Sequence, residues 1–197
     1  MAISENFLIA QKFTNAAEGG LTDDAKDPGG LTNHGVCIRF LKDLATSQNN
    51  CDYLAELGVK LPVTRQSIID LTKDQASEIF KWQFWDRLSC YALPLRVAIL
   101  LYDAAVNTGR SQAVKFMQRG YNAVTSGEKL VVDGKLGPKT LAALSDADTP
   151  AYHDAFLDAR RNFYHQLADN KPKQFEWALK GWLNRCRNLA AYIKDLK

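Results

Sequence analysis

Apolar residues recur at three- and four-residue steps along most of the chain, the period of a helix with one buried face. Ile3, Phe7, Ala10, Phe13 and Ala17 predict a first helix from about Ser4 to Glu18. Val36, Phe40 and Leu44 fit a second. In "LTKDQASEIFKWQFWDRL", Thr72 and Gln75 stand at capping-box spacing, and Ala76, Ile79, Phe80 and Trp82 follow as a buried stripe. "LPLRVAILLYDAAVNTG" is the most apolar segment, starting after Pro94 and stopping near Gly109, and it reads as the buried centre of the fold. Further helices fit residues 111–122, 138–145, 150–168 and 174–195. In the last of these, Trp177, Leu183, Leu189 and Ile193 are expected to face inward, with Lys180, Arg185, Arg187 and Lys194 solvated. Strands do not alternate with these helices, which excludes a doubly wound sheet. Neither GxxxxGK[ST] nor GxGxxG occurs, so no phosphate-cradling loop is present. The class is mainly α.

One stretch breaks the helical period. Residues 16–36, "AAEGGLTDDAKDPGGLTNHGV", hold five of the twelve glycines, with three aspartates and one glutamate. Glu18 stands where the first helix should end, and Gly19 and Gly20 are available for a left-handed cap. A carboxylate there faces the negative end of the helix dipole, which disfavours ionisation, and burial acts in the same direction. A carboxylic acid kept protonated near neutral pH is what general acid catalysis requires. "DPGG" at 27–30 is a turn signal, and "LTNHGV" after it can return as the second arm of a short hairpin. The segment near residues 19–36 is therefore expected to be a small β-hairpin or irregular loop that carries Asp27 and Thr32 back toward the helix end. The plainer alternative is a helix cap followed by a wet glycine-rich loop.

Composition adds limits. At 197 residues, with 46% apolar and 24% charged residues, the chain matches a globular protein, and no run of about 18 apolar residues predicts a membrane span. "MAISENFLIAQKF" has no basic region before its apolar stretch, so the expectation is synthesis in the cytoplasm without a signal peptide. Cys37, Cys51, Cys90 and Cys186 form no CxxC pair, and His34, His153 and His165 form no HExxH motif. No metal and no cofactor are expected, and the thiols read as reduced. Residues 1–94 carry 9 basic against 12 acidic side chains, while residues 95–197 carry 16 against 10. The basic C-terminal half favours electrostatic contact with a polyanion. Without a basic-aromatic motif, nucleic acid is not the expected partner.

The same stretch resembles the N-terminal signature of glycoside hydrolase family 108, peptidoglycan-cleaving muramidases of phages and bacteria. Similarity continues in "DLTKDQASEIFKWQFWDRL", with its Phe84–Trp85 pair, and in "LYDAAVNTGRSQAVKFMQR", an Asp-x-x-x-Asn-x-Gly helix followed by Gln118. "VDGKLGPKTLAAL" resembles the family's peptidoglycan-binding region, and "GWLNRCRNL" its closing Gly-Trp-x-x-Arg segment. The resemblance implies a lysozyme-like fold and hydrolysis of the β-1,4 bond between N-acetylmuramic acid and N-acetylglucosamine, with Glu18 as the catalytic glutamate. A looser similarity to phage-type lysozymes adds an Asp about nine residues on and a Thr shortly after. Asp27 lies nine residues past Glu18 and Thr32 five beyond that, a slightly shorter second step than that pattern. The roles implied are Glu18 as general acid, with Asp27 and Thr32 holding the attacking water. Asp103 and Asn107, at i and i+4, together with Gln118, are candidates for lining the sugar cleft. Trp85, with Phe84 and Trp82, offers either a stacking wall or ordinary core. The implied organisation is a catalytic region over 1–94 and a C-terminal helical region over 95–197, folded as one unit because no linker divides them. Peptidoglycan is the expected partner, with the acidic envelope touched by the basic half, and the protein is expected to be a monomeric endolysin delivered to the wall by a separate release route. A lytic transglycosylase using Glu18 alone, and a non-catalytic wall-binding or secretion-accessory protein, are the competing readings.

Overall fold

Thr72 and Gln75 form the reciprocal cap that their spacing predicts. The Gln75 amide N–H donates to the Thr72 hydroxyl at 3.2 Å, and the Thr72 N–H donates to the Gln75 side chain at 2.9 Å. The computed structural model describes residues 4–15, 21–23 and 30–196. They fall into two units: Gln11–Gln83, and Met1–Ala10 with Phe84–Lys197. The chain passes between the units within its first helix, α1 (Glu5–Asn15), and again within a π-helical turn, Lys81–Asp86.

In Gln11–Gln83 a two-stranded antiparallel hairpin, β1 (Thr32–Asn33) and β2 (Val36–Cys37), leads into α2 (Ile38–Leu44). Three more short helices follow, α3 (Gln48–Glu56), α4 (Arg65–Ile69) and α5 (Lys73–Phe80). Val36 belongs to the hairpin and not to the helix its spacing suggested, because Cys37 takes an extended conformation and its Sγ caps the Phe40 amide. The apolar period of Leu41, Leu54, Ile68, Leu71, Ala76 and Ile79 buries one side of each helix. A second capping box, Thr64 with Ser67, starts α4. The helical run expected to continue from α5 instead widens into the π-helical turn. Trp82 there is half-buried against Tyr53, with ring centroids 4.1 Å apart.

The other unit is built on α6 (Leu95–Thr108), whose residues Val97–Ala105 are all buried. Gly109, at φ +82°, ends α6 and starts α7 (Arg110–Val124), a reversal that a side chain would strain. Pro138 opens α8 (Pro138–Ser145) and Pro150 opens α9 (Pro150–Asn170), both at the first helical turn, where a missing N–H costs nothing. The last helix, α10 (Pro172–Lys194), presents Ala178, Cys186, Leu189 and Ile193 to the interior. Trp177 departs from expectation. It lies about 100° around the helix from Ala178 and is 80% exposed, its indole N–H donating to the carbonyl of Gln174. Arg185 departs in the opposite sense, turning inward beside Cys186 toward a buried acid described below.

Helix α7 passes close to the backbone of α9 at Gly120. A Cβ there would stand 2.9 Å from the backbone nitrogen of Phe156. Alanine favours a helix over glycine by about 1 kcal/mol, but the obstructing atom is backbone and cannot swing aside. Gly120→Ala is therefore expected to destabilise the fold by about 1–3 kcal/mol, and a thermal melt showing a stabilised variant would contradict this packing.

Candidate active site

The hairpin is shaped by its turn. His34 and Gly35 have φ of +49° and +79°, the pair of positive values that a tight two-residue turn needs to match strand twist. β1 also pairs on its outer edge. Thr22 and Thr32 exchange backbone hydrogen bonds of 2.8 and 2.9 Å, so the two ends of the segment containing "DPGG" are joined. The "LTNHGV" segment thus returns against Thr22, a residue on the N-terminal side of "DPGG". The closed two-residue turn at His34–Gly35 lies further along, where the sequence reading had only a returning arm. Glu18 and Asp27 lie outside the described residues.

Thr32 is half-buried in the middle of this arrangement, with Thr22 on one side and Cys37 on the other. Its hydroxyl donates to the carbonyl of Gly30 at 3.2 Å, which leaves the oxygen lone pairs free to accept. Its neighbour Asn33 is 7% exposed and holds the hairpin in place. The Asn33 amide donates to the carbonyl oxygens of Ile68 at 3.0 Å and Leu71 at 3.2 Å, tying β1 to the end of α4. Sequence reasoning passed over Asn33. The available signal was strand alternation, which turns Leu31 and Asn33 to the same side, so a polar residue on the buried phase must find acceptors. On the approach to the bridge, Arg65 pairs with Asp23 at 2.5 Å, and that hydrogen bond holds the Asp23 carboxyl below the usual range.

The four residues expected to line the cleft are placed differently from one another. Trp85 is 1% exposed, with its ring edge-on to Phe7 and Tyr102 at 5.7 and 5.9 Å, so it is core in this conformation. Gln118 is also closed off, its amide donating to Asp133 at 2.8 Å while its oxygen accepts the Gly134 N–H at 2.9 Å. It fastens the "VDGK" turn to α7. Asn107 alone of the four is exposed, and its side chain donates to the carbonyl of Asp103.

Asp103 has no exposed surface and meets two guanidinium groups. Arg160 on α9, itself fully buried, donates at 2.6 Å, and Arg185 on α10 donates twice, at 2.7 and 3.0 Å. Burial pushes the carboxyl upward, but the two positive charges and their hydrogen bonds outweigh it and hold its pKa below the ordinary value. Arg160 is likewise disfavoured by burial, and the Asp103 charge more than restores its ionised form. Its Nε donates to the Tyr164 hydroxyl at 2.9 Å. The sequence signal for Arg160 was its place on the apolar stripe of α9 between Phe156 and Tyr164, a position that buries a charge and demands a counter-charge.

The described residues, mainly helical with one short hairpin after the first helix, have the architecture of a lysozyme-like glycosidase. The chain belongs to the glycosyl hydrolase 108 family, whose profile matches residues 11–109, and a profile described as "Predicted Peptidoglycan domain" matches residues 112–187. It is a glycoside hydrolase that acts on peptidoglycan. The solved structure of Brucella abortus SagA is similar to it, at 29% identity and a TM-score of 0.72, covering 95% of this chain and 93% of that one. No curated protein matches the chain.

Two outcomes follow from these contacts. Asn33→Ala leaves the Ile68 and Leu71 carbonyls without their donor and should cost about 1–3 kcal/mol, measured by denaturant unfolding. Asp103→Asn keeps the shape but leaves two arginine charges uncompensated, and should cost on the order of 3–5 kcal/mol. Because the folded pKa of Asp103 is depressed, its contribution is complete above the unfolded value near about 4 and is lost as pH falls through the folded value. The parent should therefore lose stability below that point more steeply than Asp103→Asn, and parallel pH profiles would refute the assignment.

Proposed function

We propose that this enzyme is a muramidase hydrolysing the β-1,4 bond between N-acetylmuramic acid and N-acetylglucosamine, with Glu18 as the general acid and Asp27 and Thr32 holding the water. The observation that carries this reading is the Thr22–Thr32 bridge, which joins the ends of the Asp27 segment to the strand bearing Thr32. In the proposed reaction, Glu18 gives its proton to the glycosidic oxygen as the bond to the anomeric carbon breaks, and positive charge develops on the sugar ring. Water attacks that carbon with an oxygen lone pair. One of its protons passes to the Asp27 carboxylate, and the other is held by the Thr32 oxygen. That oxygen suits the task because its own hydrogen is already committed to the Gly30 carbonyl. The products are two chain ends, one of them reducing muramic acid.

Asp103, Trp85 and Gln118 fit this reading as supports, and not as sugar contacts, because each is closed off from solvent. Asn107, together with the exposed Lys180 and Arg187 of α10, remains on the surface for wall contact. Within this reading the protein acts as a monomeric endolysin, made in the cytoplasm and reaching the wall by a separate release step.

Glu18→Gln preserves shape but cannot donate the proton, and general acid catalysis is typically worth about 10²–10⁴-fold. Wall lysis should fall by that order, and a variant keeping more than half of its activity would remove Glu18 from the mechanism. Asp27→Ala should lower turnover by on the order of 10²-fold, and Thr32→Val by less. Mass analysis of the fragments should find reducing muramic acid. Anhydro-muropeptides, or full activity in Asp27→Ala, would instead identify a transglycosylase, in which the substrate's own hydroxyl closes on the anomeric carbon.

A further inference from the structure

The helical unit Phe84–Lys197 contains a cavity of about 620 Å³ that the reaction above does not use. Its apolar lining comes from small or aliphatic side chains, Leu157 on α9 with Ala190, Ala191 and Ile193 on α10. At its base, Arg96 donates to the carbonyl oxygens of Ile193 at 3.0 Å and Leu196 at 2.5 Å, holding the end of α10. Asp148 stands between Arg96, at 3.5 Å, and the His153 ring, at 2.8 Å. These three groups are engaged with one another and with the backbone. The rim is different. Asp154 and Lys194 are both exposed, line the cavity from α9 and α10, and make no ion pair among the described residues. A ligand here therefore meets an aliphatic surface flanked by one free negative and one free positive charge.

That combination selects among the parts of peptidoglycan. A glycan strand offers hydroxyl and acetamido groups and is commonly gripped by aromatic faces, yet no Trp, Tyr or Phe lines this cavity among the described residues. A peptide stem offers alanine methyl groups, a free amine and carboxylates, the complement of what the walls present. The volume also falls within the roughly 300–1,000 Å³ usual for small-ligand sites. We propose that this cavity binds the peptide stem of peptidoglycan, with Asp154 receiving the stem's free ammonium, Lys194 a carboxylate, and Leu157, Ala190 and Ala191 the alanine methyls. The proposal rests on peptidoglycan as the substrate, and it would let the enzyme hold cross-link-bearing wall through a surface separate from its cleavage chemistry.

The test is calorimetric titration of the full chain with a synthetic stem, N-acetyl-L-alanyl-γ-D-glutamyl-meso-diaminopimelyl-D-alanine, whose one free amine is that of the diaminopimelyl residue. Saturable binding is expected. Asp154→Asn and Lys194→Gln, both at exposed positions, should each weaken it roughly threefold to fivefold, the scale of a solvent-exposed charge pair, and less at high salt. Acetylating the stem's amine should weaken binding to the parent but cost Asp154→Asn nothing further, and amidating its carboxyls should behave likewise toward Lys194→Gln. Ala191→Phe, which fills the cavity from an exposed site on α10, should abolish binding while its thermal melt stays near that of the parent. Absence of saturable binding, unchanged affinity in both rim variants, or equal affinity for peptide-free chitotetraose would overturn the proposal. The probe contains no glycosidic bond and Ala191→Phe assigns its binding to this cavity, so failure of the muramidase reading would show only in the lysis and product assays.

Discussion

Asp103 is the constraint on which the helical unit depends. Two arginines, one on α9 and one on α10, direct positive charge at a single carboxylate on α6; Asp103 and Arg160 have no exposed surface and Arg185 little. An isolated buried charge of either sign would be prohibitive, so the three side chains are stable only together. The requirement is also geometric. α6, α9 and α10 must sit where their charges meet, and Tyr164 extends the arrangement by accepting from Arg160 and stacking on Trp182 at 4.9 Å. Apolar packing supplies most of the burial in this unit, but many registers of apolar helices bury similar area. The ion triad admits far fewer.

The smaller unit solves a related problem with neutral groups. A hairpin of two residues per strand cannot hold itself together in water, since each pair of backbone hydrogen bonds barely offsets the entropy of ordering the strand. Here it is bound on three sides, by the Thr22 bridge, by the Asn33 amide on the carbonyls at the end of α4, and by the cap of α2 that begins at Cys37. A rigid mounting of this kind is what the role proposed for Thr32 requires, because effective catalysis tolerates little displacement of its groups. Thr32 occupies the middle of that mounting.

A peptidoglycan hydrolase works on a polymer far larger than itself, so cleavage and retention are separable tasks. The helical unit devotes Gln118 and Asn122, one turn apart on α7, to clamping the loop between α7 and α8, with Asn122 both donating to and accepting from Leu130. That investment in a fixed loop, together with the cavity lined by α9 and α10, gives the helical unit an ordered surface of its own.

The sequence by itself determined the helical class, the capping box of α5, the break at Gly109, the proline-started α8 and α9, and the place of "LTNHGV" as an arm of a short hairpin. Each of these is local: a period, a cap or a turn residue acts over a few positions, so its signal is complete within a short window. Glu18, Asp27 and Thr32 are proposed on the same local basis, as residue types at a recognisable spacing. Tertiary structure alone decided which polar residues face inward. Arg185 and Trp177 lie eight residues apart on α10, and helix period assigned the tryptophan to the core and the arginine to solvent. The structure reverses both, because a carboxylate 82 positions away attracts the arginine, while the tryptophan is left 80% exposed. Long-range electrostatics and the presence of a neighbouring surface leave no trace in local periodicity, and for that reason Asp103, a candidate sugar contact in the sequence, is the buried counter-ion of two arginines in the fold.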